Sequence, residues 1–307
     1  MSVLSAILQG IIQGLTEFLP ISSSGHLVLF QHFTGQSGEN SLFFGLMLHL
    51  GTLAAVIAAY YEDLWEMLKE LVAAVRELFT GKFKLKTENP HRKLLYMLIV
   101  ATAPLVLVLP LRGLVSGVTG DADIVVEGVC FLFTSLLLFG ASKARPGKAG
   151  IEKMRPLHAV IIGIMQGVAV MPGISRSGAT LSTGLIIGFN REFMVRFAFL
   201  LSIPAILGGA VAEIGDAAEQ GIKVSFLPLF LGMLTAAVVG YLCIRLVRWL
   251  VVTNRLIIFA WYTLILGAIV VVVGIIEHFV GPFGLSGEAA SVASSLSESL
   301  PPPTSLA

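Results

Sequence analysis

Six stretches of this chain run close to a bilayer's width with almost no charge, and that limits the possible folds more than any other feature. Residues 42–60, 94–111, 124–141, 197–212, 225–244 and 256–276 contain Glu127 as their only Asp, Glu, Lys or Arg. A hydrocarbon core about 30 Å thick takes roughly 20 such residues per helix. Composition agrees: 13% of the 307 residues are charged, against about 25% in an average soluble domain. The expected fold class is an all-α polytopic membrane protein. The net charge of +1 offers nothing to nucleic acid. The opening MSVLSAILQG has no basic n-region, so no cleavable signal peptide is expected. Cys130 and Cys243 both fall inside apolar stretches and read as packing residues.

Lys and Arg are distributed unevenly between the spans, which sets orientation. Residues 61–93 hold seven of them, 142–156 hold five, and Arg245, Arg248 and Arg255 form a third cluster. Residues 113–123 carry acidic charges only, and 213–224 carry three acids and one lysine. With the basic segments in the cytoplasm, all six spans alternate. Charged and apolar residues at helical spacing over 63–86 predict an amphipathic helix along the cytoplasmic interface.

Residues 1–34 and 157–190 remain, each with two arms of roughly 10–14 residues around a Gly/Ser/Pro centre. Arms that short cannot cross, so each region is expected to be a re-entrant helical hairpin. The two are copies of one another. At an offset of 153, GIIQGLTEFLPISSSGHLVL (10–29) lies on GIMQGVAVMPGISRSGATLS (163–182) with eight of twenty identities and no gap. Each half then has one hairpin and three spans. Three is odd, so the second half enters inverted, and the hairpin tips should meet near the midplane. The expected domain is 1–280, with repeat 1 over about 1–141, a basic linker at 142–156 and repeat 2 over about 157–280. A disordered tail, rich in Ser, Pro and Gly, is expected over 281–307.

Chemistry concentrates in the two centres. Glu17 is an ionisable group inside an intramembrane hairpin, expensive unless it is paired or metal-bound. Gln13 lies one turn earlier on the same face. Together they offer two hard oxygens to Mg²⁺ or Ca²⁺, with water and phosphate completing the shell. Gln13 recurs in both copies, so it is as much repeat architecture as chemistry. Ser22, Ser23 and Ser24 put hydroxyls at a helix start, Gly25 permits close backbone approach, and His26 titrates near neutrality. In the second copy, Arg176 takes the position of Ser23, flanked by Ser175, Ser177 and Gly178. Its planar fork suits phosphate oxygens. A carboxylate, hydroxyls and a base on one tip and a cation on the other suit phosphoryl transfer. His49 reads as a buried structural histidine that might alternatively line a cavity. His32, His91, His158 and His278 are expected at the interface. Arg191 and Arg196 read as interfacial residues rather than phosphate ligands. The pairs Gly10/Gly14, Gly163/Gly167 and Gly184/Gly188 suggest close helix packing.

At these residues the chain resembles the undecaprenyl-diphosphate phosphatase family, also called the bacitracin-resistance proteins. The motifs are Gln13/Glu17, Pro20–His26 and Pro172–Gly178, and the likeness covers nearly the whole length except the tail. The resemblance implies hydrolysis of undecaprenyl diphosphate to the monophosphate and phosphate. That reaction recycles the lipid carrier for peptidoglycan synthesis and confers bacitracin resistance. It also implies a divalent cation, a bacterial plasma membrane, and a site reached from the outer face by a prenyl diphosphate lipid. A homodimer is compatible with it. Carried onto this chain, Glu17, Ser23, His26 and Arg176 are the expected catalytic residues. Ser22, Ser24, Gly25, Ser175, Arg176, Ser177 and Gly178 would bind phosphate, and Glu17 with Gln13 the metal. Many members of the family have glutamate at the position of Gln13, so Glu17 is expected to be the indispensable acid. The rival expectation is a lipid-carrier flippase or transporter, a design that also uses inverted repeats with meeting broken helices.

Overall fold

The computed structural model describes residues 2–35, 39–83, 87–108, 124–145, 147–220, 225–281 and 283. The segment 113–123, the lysine at 223 and nearly all of the tail therefore lie outside the described residues, as do the side chains of 39–42 and 212–220. The described chain is helical: α1 (Val3–Phe18), α2 (Ser23–Thr34), α3 (Glu39–Ala59), α4 (Tyr61–Phe79), α5 (Pro90–Val108), α6 (Val125–Lys143), α7 (Pro156–Val168), α8 (Arg176–Ile187), α9 (Arg191–Gln220), α10 (Phe226–Val252) and α11 (Leu256–Val280). Beyond these there is a short 3₁₀ turn at Ile151–Lys153 and one isolated β-bridge between Ala149 and Phe189. Helices are the answer that physics demands in lipid, because each satisfies its own backbone.

Helices α5, α6, α9, α10 and α11 are each long and apolar enough to cross a membrane. A sixth candidate is the pair Phe43–Ala59 and Tyr61–Phe79, α3 and α4, which reaches that length only together and is bent by 84° between them. The bend falls at Tyr60, whose backbone leaves the helical region (φ −122°, ψ 27°). The predicted interfacial helix is α4. Its charged face is tied to the spans behind it: Arg92 donates to Glu70 (2.7 Å) and Glu77 (2.8 Å), and Arg196 of α9 donates to Asp63 (2.8 Å). Arg191 donates to Asn254 (2.6 Å). Arg196 thus ties α9 to α4, and Arg191 ties the start of α9 to the turn between α10 and α11. His32 departs from expectation. It is buried and sits 3.0 Å from the Glu277 carboxylate on α11, a pairing 245 residues apart in sequence.

Two pairs, α1–α2 and α7–α8, are short, with helices of 16, 12, 13 and 12 residues. Each is wedged among the long helices, with α1 against α10 and α7 against α5. Lipid tails are as apolar as leucine, so these contacts depend on close packing rather than on a hydrophobic drive. The glycines make it possible. A Cβ on Gly10 would stand 2.6 Å from the Gly232 carbonyl oxygen, one on Gly14 2.9 Å from that of Ala236, and one on Gly163 2.2 Å from that of Ala101. Gly184/Gly188 is a different device: Gly184 faces the Met194 side chain, and Gly188 (φ +107°) caps α8 in the left-handed conformation. Cys130 and Cys243 are buried free thiols.

Gly14→Leu should therefore push α1 off α10, at an overpacking cost of about 1–3 kcal/mol or more. It should lower the melting temperature in detergent, whereas Gly45→Ala, with open space at its Cβ, should leave it within a degree or two of wild type.

Candidate active site

The first tip forms because α1 has to stop. Leu19 precedes Pro20 and takes an extended conformation (φ −62°, ψ 138°), as a residue before proline prefers. Ser22 then starts α2, its Oγ accepting from the Gly25 backbone N–H (3.3 Å). Ser22 does this at φ +72°, a region that a residue with a Cβ enters only when its surroundings force it. His26 supplies part of that force. Its Nδ1 donates to the Ser22 carbonyl oxygen (2.6 Å), which leaves Nε2 to accept from the Tyr262 hydroxyl (2.7 Å).

The second tip is built alike. Gly173 (φ +92°) turns the chain and Ser175 caps α8, accepting from Gly178 N–H (3.0 Å). Thr134 on α6 pins this turn twice, donating to the Gly173 carbonyl oxygen (3.1 Å) and accepting from Ser175 N–H (3.0 Å). The tips touch. Ser177 Oγ donates to the Leu19 carbonyl oxygen (3.2 Å), and a Cβ on Gly25 would stand 2.9 Å from Gly173 Cα. Glycine at 25 is thus a condition of the contact between the tips.

Glu17 lies at the centre of this junction and is 8% exposed. Oε2 accepts from Ser23 Oγ (2.6 Å) and from Gln13 Nε2 (3.0 Å), while Oε1 accepts from the Arg176 guanidinium. His49 Nε2 is 3.5 Å from Oε2. The His49 ring is held from behind, its Nδ1 donating to the Gly45 carbonyl oxygen (2.8 Å). That leaves Nε2 as the ring nitrogen turned toward the Glu17 carboxylate. A buried carboxylate is tolerable only with such donors around it.

Glu17, Ser22, Ser23, Ser24, His49, Ser175 and Arg176 share one cavity of about 290 Å³. Its far wall is apolar, with Leu105, Val106 and Val108 from α5, Val170 and Ile174 from the second hairpin, and Pro204, Ala205, Gly208 and Gly209 from α9. The cavity is thus lined by charged and hydroxyl groups from the two tips and by apolar side chains from α5, α9 and the second hairpin. A smaller chamber behind the Glu17–Arg176 pair is lined by Ser177, Phe199 and Ser202.

Most of the residues singled out in the sequence meet here. Gly25, Ser177 and Gly178 shape the tips without lining the main cavity. Gln13 supports Glu17 from a fully buried position. His26 is not brought in, because both of its nitrogens are committed elsewhere and its ring stacks on Tyr262 (5.8 Å between centroids). His49 is brought in instead. Its signal in the sequence was a titratable ring amid an otherwise apolar span, which by itself is equally the mark of a structural histidine. Gln166, the counterpart of Gln13 at the same offset, also lines the cavity.

Glu17 and Gln13 were also expected to hold a divalent cation. Among the described residues no group of three or more His, Cys, Asp and Glu could enclose one. The donors fit a cation shared with a substrate: a carboxylate beside Gln13 Oε1, which is a buried acceptor with no hydrogen-bond partner.

Comparison with known proteins identifies the family. The family described as bacitracin resistance protein BacA matches residues 6–269. Undecaprenyl-diphosphatase of Alkaliphilus metalliredigens is 40% identical over 273 residues, covering 88% of this chain and 98% of that protein. The proteins of the same name from Methanosphaera stadtmanae and Rubrobacter xylanophilus are 35% and 38% identical, covering 90% and 88% of this chain and 99% and 97% of their own lengths. A family match over residues 6–269 and likenesses that run nearly the full length of these relatives place the chain in the bacitracin resistance protein family.

Proposed function

We propose that this protein hydrolyses undecaprenyl diphosphate to undecaprenyl phosphate and phosphate, recycling the lipid carrier for peptidoglycan synthesis and so conferring bacitracin resistance. The observation that carries the reading is the 2.6 Å hydrogen bond from Ser23 Oγ to Glu17, whose other oxygen takes Arg176, in a cavity lined by both polar and apolar residues. That is a nucleophile on its base, with a cation placed to receive phosphate oxygens. The diphosphate occupies the polar end and the prenyl chain leaves along α5 and α9. Ser23 Oγ attacks the terminal phosphorus and its proton passes to Glu17. The bond from that phosphorus to the bridging oxygen breaks, and the monophosphate lipid departs with the proton. A water then releases phosphate from Ser23, its proton passing to Glu17 and on to the serine oxygen. Arg176 leaves Glu17 for the phosphoryl oxygens as charge develops on them. His49 Nε2 is the second proton acceptor within reach. His26 acts as a positioning residue, holding the Ser22 carbonyl and with it the tip. A divalent cation on Glu17 and Gln13 would supply further positive charge against the phosphate oxygens.

The same reading has the two halves as an inverted repeat. Reciprocal seating supports it: the first arm of each hairpin, α1 or α7, packs against a long helix of the other half, α10 or α5. The outer-face reading has support in where the cavity residues fall along their helices. The cavity draws on Thr102–Val108 near the end of α5 and on Pro204–Gly209 well along α9, whereas α5 begins near Arg92 and α9 at Arg191. A site far from those basic starts is what the positive-inside rule expects of one nearer the outer face.

Purified protein in detergent should release phosphate from undecaprenyl diphosphate. Ser23→Ala and Glu17→Ala should each lower kcat by about 10²–10⁴-fold, and Arg176→Lys should fail to restore what Arg176→Ala loses. A transporter without chemistry would release no phosphate at all. Acid quenching with labelled substrate should trap label on Ser23; a fully active Ser23→Ala would remove the serine from the mechanism and leave water as the attacking group. His49→Ala should cost about 10²-fold in kcat, the low end of what a proton-transfer partner contributes, and His49→Gln should not restore it because an amide cannot take up the proton.

A further inference from the structure

Gln166 is a buried amide with no task in the folded protein. It stands on α7 and is 1% exposed, yet neither its Nε2 nor its Oε1 has a hydrogen-bond partner. A carboxamide offers two donors and two lone pairs, and leaving all of them unmet in an apolar surrounding is destabilising. Its twin makes the contrast plain. Gln13 spends its Nε2 on the Glu17 carboxylate. At the corresponding place by Gln166 the repeat has Val170, which offers nothing to bond. Yet Gln166 lines the same cavity as Glu17, Ser23 and Arg176. A buried polar group left without a partner calls for an explanation, and a ligand that completes it is one that its place on the cavity supplies.

We infer that Gln166 is a substrate-binding residue, its amide donating from α7 to a phosphate oxygen of the diphosphate. Charge arithmetic favours the role. In the empty site Glu17 and Arg176 neutralise each other, so a diphosphate brings excess negative charge with one arginine to meet it. A neutral donor adds a hydrogen bond without tightening the ion pair against opening. The duplicated glutamine has thus divided its labour, one copy serving the carboxylate and the other the ligand.

This inference rests on the diphosphatase reading of the cavity and is tested so that the two can fail separately. The probes are farnesyl diphosphate, followed by phosphate release, and its methylene-bisphosphonate analogue, whose P–C–P bridge cannot be hydrolysed, followed by titration against wild type, Gln166→Leu and Gln166→Glu. Loss of a hydrogen bond to a charged group predicts a 10- to 100-fold weaker bisphosphonate affinity for Gln166→Leu, with KM for farnesyl diphosphate raised to match. Gln166→Glu, which sets a carboxylate against phosphate, should bind more weakly still. In the absence of ligand the Gln166→Leu melting temperature should equal or exceed that of wild type, because a partnerless amide has been replaced by an apolar group of similar volume. A ligand-free protein destabilised by Gln166→Leu would make the amide a structural group and overturn the inference. So would wild-type affinity in either variant, with phosphate release by wild type leaving the diphosphatase reading intact. If wild type binds the bisphosphonate and releases no phosphate, the hydrolytic reading fails, while the weaker binding of Gln166→Leu still supports the contact.

Discussion

Everything in this molecule is arranged around keeping one carboxylate ionised inside a membrane protein. Glu17 is 8% exposed and is surrounded by Ser23, Gln13, His49 and Arg176. An unpaired carboxylate there would cost several kcal/mol, so the donors are a condition of folding as well as the parts of a catalyst. The donors arrive from three separate pieces of chain, Gln13 on α1, Ser23 at the start of α2 and Arg176 at the start of α8, with His49 of α3 alongside. Whatever moves one of those pieces leaves charge exposed to apolar surroundings. The hairpin tips are accordingly tied from behind by groups with no place in the chemistry. Thr134 holds the second turn, His26 with Tyr262 holds the first, and Ser177 joins them.

The same arrangement suits a ligand with two incompatible ends. A diphosphate needs donors and positive charge; a long prenyl chain needs none. The cavity meets the first with hydroxyls and Arg176 and the second with the side chains of α5 and α9. Open space at the Gly208 and Gly209 Cβ positions widens the apolar side. Positive φ at Ser22 and Gly173 marks where the backbone is held in unusual conformations, and both positions lie at the tips that carry the reacting groups.

The helical class, the approximate spans and the two hairpins were legible in the sequence, because burial in lipid writes itself as uninterrupted apolar runs and arm length. The repeat was legible too, and through it the pairing of Ser23 with Arg176 as corresponding positions. The division of the histidines was not. His26 sits in a motif of serines and glycine and invites a catalytic role, yet its nitrogens are taken by Ser22 and Tyr262. His49 sits alone in an apolar span and invites a structural one, yet it faces Glu17. His32 looked interfacial and is buried on Glu277, a partner 245 residues away. Local pattern reports which groups are costly, and a costly group can be satisfied by any donor that the fold brings near.

The sequence by itself determined that this chain lives in a bilayer, that its two polar interruptions are copies of one motif, and that each copy contributes different chemistry. Those properties follow from hydropathy, segment length and residue type, which are local. Only the tertiary structure decided that Gln13 serves the carboxylate while its twin Gln166 faces the cavity, and that His49 rather than His26 is the imidazole beside Glu17. The reason is geometric: equal residues at equal offsets acquire different partners once one hairpin packs against α10 and the other against α5. Which donor meets which acceptor is a property of that packing.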